Sequence, residues 1–222
     1  MKLGVRSLST RPALILAAIL LCGSMAGRAD TIKSDVELTT KEIGAKEAVI
    51  GDLVADAIRA SAKADAAFIA ATSFSDTVSL AKGSVNTTDV VDALVYKSEN
   101  VVIVKLTGEQ ITRAMEQSLF LYPKSNSAFL QFSGLVVSVK PDADAGKRVA
   151  SIKTDAGDLD PKKVYKVAMP APLANGGLAY FKIWQKTSID RETDVTVEAA
   201  LKTWFADHKT VTKGDERLVT HR

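Results

Sequence analysis

The spacing of apolar residues changes period several times along this chain, and each change predicts an element. Ile50, Leu53, Val54, Ala57 and Ile58 recur at helical spacing, so an amphipathic helix of about three turns is expected from Glu47. Ala66 to Ala71, centred on Phe68 and Ile69, reads as a short buried strand, and Lys82-Gly83-Ser84 as a turn. Asn86, Thr87 or Thr88 is placed to cap a short helix carrying Val90, Val91 and Leu94. The β-branched run Val101 to Leu106 predicts a central strand. Thr107 with Gln110 three residues on forms a capping box. It opens a helix that buries Ile111, Ala114, Met115, Ser118 and Leu119.

Leu135, Val137 and Val139 alternate within Phe132 to Lys140, predicting one strand with a single buried face. Val149 to Thr154 and Val164 to Met169 read as further strands, with a hairpin turn at Asp155-Ala156-Gly157-Asp158. Ala199 to His208 predicts a last helix burying Ala200, Leu201, Trp204 and Phe205, and Glu216 to Thr220 a last edge strand. Asp30 to Lys46 is polar and reads as an extended lead-in. Helices and strands alternate early and strands cluster in hairpins later, which predicts a mixed α/β fold in a single domain. The stretch Leu173-Ala174-Asn175-Gly176-Gly177 interrupts this periodicity. Adjacent glycines after Asn fit a sharp loop whose backbone passes close to a ligand, to another strand, or simply through a tight turn.

The N-terminus changes the picture of charge and compartment. Lys2, Arg6 and Arg11 precede an apolar run from Ala13 to Leu21 that is too short to span a bilayer. Small residues follow, so residues 1–29 read as an export signal with cleavage after Ala26 or Ala29, and 30–222 as the mature domain. A periplasmic or secreted location follows, with no membrane span after cleavage. The basic excess sits in this leader, which carries four Lys and Arg and no acid, so no nucleic-acid surface is expected. Cys22 is the only cysteine, and the leader contains it.

Candidate chemistry is sparse. His208 and His221 lack metal-ligand spacing, and no Ser turn of the G-x-S-x-G kind lies near them. No phosphate-binding glycine loop is present, and no cofactor is implied. Asp52 and Asp56, four residues apart, are placed either to share a cation or, as the simpler reading, to form a solvated helix face. Lys147-Arg148 and Lys162-Lys163 read as turn charges, and Trp184 and Trp204 as packing residues. No catalytic or metal residue is assigned.

Six stretches in order resemble the C-terminal domain of 5′-nucleotidases. They are Glu47-x-x-x-Gly51-x-Leu53-x-x-Asp56-Ala57, Ala64-Asp65, Leu106-Thr107-Gly108, Phe129-Leu130-Gln131-x-Ser133-Gly134-Leu135, Val164-Tyr165-Lys166-Val167 and Leu173-Ala174-Asn175-Gly176-Gly177. The resemblance implies a four-layer α-β-β-α domain that in the family follows a two-metal phosphoesterase domain and holds the nucleoside. It places the ligand cleft at Lys46, Ser75, Lys97, Glu99, Pro172, Asn175, Gly176, Gly177 and Leu178. Most of these depart from the family pattern. Where the family has Asn-Gly-Gly-Gly-Ile-Arg, this chain reads Ala70-Ala71-Thr72-Ser73-Phe74-Ser75, so Ser75 replaces the guanidinium. The family's Pro-Phe-Gly-Asn is Tyr96-Lys97-Ser98-Glu99, with Tyr96 one residue from the lost stacking Phe. The second stacking Phe is Pro172, the Asp after Gly-Gly is Leu178, and Lys46 stands where Arg is common. The expectation is a non-catalytic exported domain with a re-lined cleft for a more polar small molecule or a protein partner. The alternative is a substrate-recognition subunit beside a separate metallophosphoesterase.

Overall fold

The computed structural model describes residues 30–214 and 216–220. The expected leader, with Cys22, and His221 lie outside them. In chain order the elements are β1 (Thr31–Ser34), β2 (Leu38–Thr39), α1 (Val49–Ala62), β3 (Ala66–Ala70), β4 (Ser79–Leu80), β5 (Gly83–Asn86), α2 (Thr87–Asp92), β6 (Asn100–Thr107) and α3 (Gly108–Ser118). There follow β7 (Leu130–Ser133), β8 (Leu135–Val139), β9 (Val149–Thr154), β10 (Gly157–Asp158), β11 (Val164–Pro170), α4 (Ala171–Ala174), β12 (Ile189–Thr196), α5 (Val197–Asp207), β13 (Thr210–Val211) and β14 (Leu218–Thr220).

The fold is mixed α/β, in the four-layer α-β-β-α arrangement. A five-stranded sheet runs β12-β6-β11-β3-β7 and a four-stranded sheet runs β10-β9-β8-β14. In the larger sheet β11 is parallel to β3 and antiparallel to β6. The run Val101 to Leu106 fills β6, with Val101, Val102, Ile103, Val104 and Leu106 all buried. That is the burial expected of a strand covered on both faces. Helix α1 buries Ile50, Leu53, Val54, Ala57 and Ile58 against β3, β7 and β11. Helix α3 starts at the predicted capping box: Thr107 Oγ1 accepts from the Gln110 amide at 3.2 Å, and Gln110 Oε1 accepts from the Thr107 amide at 2.9 Å. It packs against β6 and β9.

Several expectations are corrected. Asp30 to Lys46 is not a lead-in but part of the fold. Strand β1 lies between β5 and β13, β2 pairs with β4, and Ile32, Leu38 and Ile43 are buried. Gly83 and Ser84 of the expected turn are likewise drawn into strand, because β5 begins at Gly83 to pair with β1. Phe132 to Lys140 is two strands rather than one. Strand β7 pairs with β3 in the larger sheet, and β8 pairs with β9 in the smaller. The chain crosses between sheets at Gly134, whose φ is +79° and where a Cβ would stand 2.3 Å from the Asp65 carbonyl oxygen. Arg148 is more than a turn charge. Its guanidinium donates to the carbonyls of Leu119 and Phe120, just past the end of α3, and to that of Ala143 in the loop after β8.

Asp52 and Asp56 do not form a solvated face. Both turn towards Arg217, just before β14, so the shared cation is a guanidinium. Arg217 Nη2 donates to Asp56 Oδ2 at 2.8 Å, and Arg217 Nη1 donates to the Phe132 carbonyl at 2.9 Å and lies 3.7 Å from Asp52 Oδ1. Glu47 Oε2 accepts from the backbone amides of Arg217 and Leu218 at 2.8 and 2.7 Å. Burial pushes the Asp52 carboxyl up to about 8, opposed by Arg217 and reinforced by Glu47 and Asp56. Among the described residues its Oδ1 has no hydrogen-bond partner. Its folded-state pKa stands above the ordinary 3.8, so the folded protein binds the extra proton. The Asp52 contribution to stability therefore falls as pH rises from about 4 to about 8. Asp52→Asn is expected to flatten the dependence of Tm on pH across that window, and an unchanged slope would contradict this assignment.

Candidate functional site

The turn that follows β11 builds one wall of a cavity. Helix α4 is a single turn with Pro172 near its start. Asn175 Nδ2 donates back to the Ala171 carbonyl at 2.8 Å, and the Gly177 amide donates to the Pro172 carbonyl at 3.0 Å. Gly176 has φ +85°, and a Cβ there would lie 2.8 Å from Phe181 Cα. The close approach expected of the paired glycines is therefore to their own loop. Leu178 and Ala179 then adopt φ of 57° and 68°, a left-handed conformation that costs a non-glycine residue about 1–2 kcal/mol. The turn is anchored from below. Tyr180 and Trp184 stack with centroids 4.8 Å apart. Tyr180 donates to the Ala128 carbonyl at 2.8 Å and Trp184 Nε1 to the Leu173 carbonyl at 3.1 Å.

Facing this turn are the end of β3 and the segment before β6. Together they border an open cavity of about 370 Å³ lined by Ala70, Thr72, Ser73, Tyr96, Glu99, Pro170, Pro172, Leu173, Gly177 and Leu178. Four of the sequence-assigned cleft residues are thus brought together: Glu99, Pro172, Gly177 and Leu178. The other five are not in the lining. Ser75 opens onto an adjacent depression with Thr72, Phe74 and Asn126. Lys97 Nζ is engaged by Asp92 Oδ1 at 2.5 Å. Asn175 is occupied by its bond to Ala171, and Gly176 by its approach to Phe181. Lys46 pairs with Glu42 at 2.9 Å and lines a separate hollow of about 350 Å³ with Asp52 and Tyr122.

The walls are mostly apolar, and no Lys or Arg contributes to them. Of the polar residues assigned to the cleft, Lys97 is paired with Asp92 and Ser75 lines the adjacent depression. Sequence reasoning undervalued Tyr96, which lines the cavity and is 51% exposed. Its position next to the lost Phe was the available signal. Pro170 and Leu173 were missed, since neither carries a polar group that would draw attention. Among the described residues, no group of three or more His, Cys, Asp or Glu side chains is placed to hold a metal ion.

The family described as 5′-nucleotidase, C-terminal domain, matches residues 26–185. An apyrase of Aedes albopictus is 27% identical over 157 residues, which cover 65% of this chain and 27% of that protein. A 5′-nucleotidase of Homo sapiens is 36% identical over 83 residues, 34% of this chain and 14% of that protein. Among solved structures, a 5′-nucleotidase precursor from Thermus thermophilus superimposes with TM-score 0.73 at 23% identity over 85% of this chain and 39% of that one. The NAD nucleotidase of Haemophilus influenzae gives 0.70 at 15% identity, covering 86% and 38%. The chain therefore spans well under half the length of each of these proteins.

Proposed function

This chain belongs to the 5′-nucleotidase C-terminal domain family, and from that premise we infer that it is a non-catalytic, exported binding domain. Its re-lined cleft takes a small molecule or a partner. The observation that carries this reading is the cavity between β3, Tyr96–Glu99 and the Pro170–Leu178 turn. It lies at the positions where the resemblance implies the nucleoside, yet its walls hold neither the stacking Phe pair nor a guanidinium. The strained backbone at Leu178, which brings that residue into the lining, also supports a binding role, since such strain clusters at ligand sites. Export rests on residues 1–29. Among the described residues, no helix is long and apolar enough to cross a membrane.

The test is phosphate release from AMP, ADP and ATP by the purified chain with Mg²⁺, Mn²⁺ or Zn²⁺ added. Release at the background rate is expected. Multiple turnovers that co-elute with the protein would overturn the non-catalytic reading.

A second reading is favoured by the names of the relatives, an apyrase and a 5′-nucleotidase much longer than this chain. In it the domain positions substrate for a metallophosphoesterase on another polypeptide. Co-purification with such a protein, and nucleotide hydrolysis only on mixing, would support it.

A further inference from the structure

We propose that the cavity between Tyr96, Glu99 and the Pro170–Leu178 turn binds a small organic ammonium: a cationic head carried on an apolar or aromatic body. The proposal names the ligand class for the cleft and rests on the reading above in taking that cleft, and no other surface, as the binding site.

Three observations converge. The first is the lining. Ala70, Pro170, Pro172, Leu173 and Leu178 supply apolar wall, and the volume of about 370 Å³ suits a small ligand. The second is charge. Glu99 is the only ionisable carboxylate in the lining, no Lys or Arg is there to answer it, and among the described residues it forms no ion pair. Lys97, on the same segment, is held by Asp92, and Glu198 pairs with Lys202 at 2.5 Å. A ligand cation gives the Glu99 carboxylate, set among apolar wall residues, the charged partner it lacks among the described residues. The third is Tyr96. It is half-exposed and shares the lining with Glu99, and an aromatic ring beside a carboxylate is the pairing that favours ammonium groups. Thr72 and Ser73 add hydroxyls but no charge. A phosphate or nucleotide meets the opposite condition, because its anionic group would face Glu99 with no counter-charge.

The test uses the ¹⁵N-labelled chain titrated with phenethylammonium, phenethyl alcohol and adenosine. Phenethylammonium is expected to move the amide resonances of Glu99, Gly177 and Leu178 and to bind about tenfold or more tightly than the alcohol, the worth of one desolvated charge pair. Glu99→Gln should abolish that preference. Tyr96→Leu should weaken the ammonium by about three- to tenfold. Equal binding of ammonium and alcohol at the same amides overturns the charge assignment but leaves the cleft as a binding site. Tighter binding of adenosine overturns both the proposal and the reading beneath it. Shifts confined to other surfaces, or a preference unaltered by Glu99→Gln, overturn the proposal alone, as does the absence of any shift with the ammonium.

Discussion

Gln131→Leu is expected to lower stability by about 4 kcal/mol, which for a domain of this size lowers Tm by about 10 °C. Gln131 is only 1% exposed and its amide is fully used. Its Oε1 accepts from the Ala48 amide at 3.0 Å, and its Nε2 donates to the carbonyls of Ile43 and Lys46 at 2.9 and 2.7 Å. One side chain on β7 thus closes the start of α1 and pins the segment before it. A leucine of similar size would leave one buried donor and two acceptors without partners, each at about 1–3 kcal/mol before water relieves some of them. The same contact explains Gly51. A Cβ there would stand 2.5 Å from Gln131 Cγ, so the glycine and the glutamine of the two separate motifs are one packing unit. Chemical denaturation of the variant gives the value, and a loss below about 1 kcal/mol would show that the network carries little.

Arg217→Met is expected to cost about 3 kcal/mol, because it strands acids rather than merely removing a pair. Among the described residues, Asp56 would keep only the Ser133 hydroxyl, which donates to its other oxygen at 2.6 Å, and Asp52 would lose the one cation paired with it. The loss should be larger at pH 8 than at pH 5. At the lower pH Asp52, pushed up to about 8 by burial, is protonated and needs no counter-charge. Arg217 also precedes β14, whose pairing with β8 is parallel and at a sheet edge. Loss of amide protection at Val137 and Val219 should therefore accompany the loss of stability. A pH-independent change would place the destabilisation in packing instead.

The elements carried by strong periodicity were legible in the sequence. Helix α1, β6 and the capping box of α3 follow from residue spacing and side-chain hydrogen-bonding alone. What was not legible depended on tertiary partners. The residues of β1 and β2 are polar enough to look solvated, and they become strands because β5, β13 and β4 offer backbone partners. The break at Gly134 was hidden because alternation continues across it while the two halves join different sheets. Asp52 and Asp56 could not be connected to Arg217, far along the chain, by any local rule. The cleft was legible in part. Ordered motifs placed Glu99, Pro172, Gly177 and Leu178 on one cavity, but whether Lys46, Ser75 and Lys97 faced it depended on ion pairs and loop geometry. Only the folded chain supplies these.

The most direct measurement is a calorimetric titration of the purified chain with adenosine and AMP. Two base-stacking contacts contribute about 1–3 kcal/mol each. With a proline in place of one stacking residue, a leucine in place of the acid and no guanidinium in the lining, affinity should be about a thousandfold weaker than in a site that keeps them. No saturable heat is expected at micromolar concentrations of either compound. A saturable isotherm with a micromolar Kd, lost on blocking the cavity with Gly177→Leu in a variant that remains folded, would contradict the account. It would show that the nucleoside site survives through other residues.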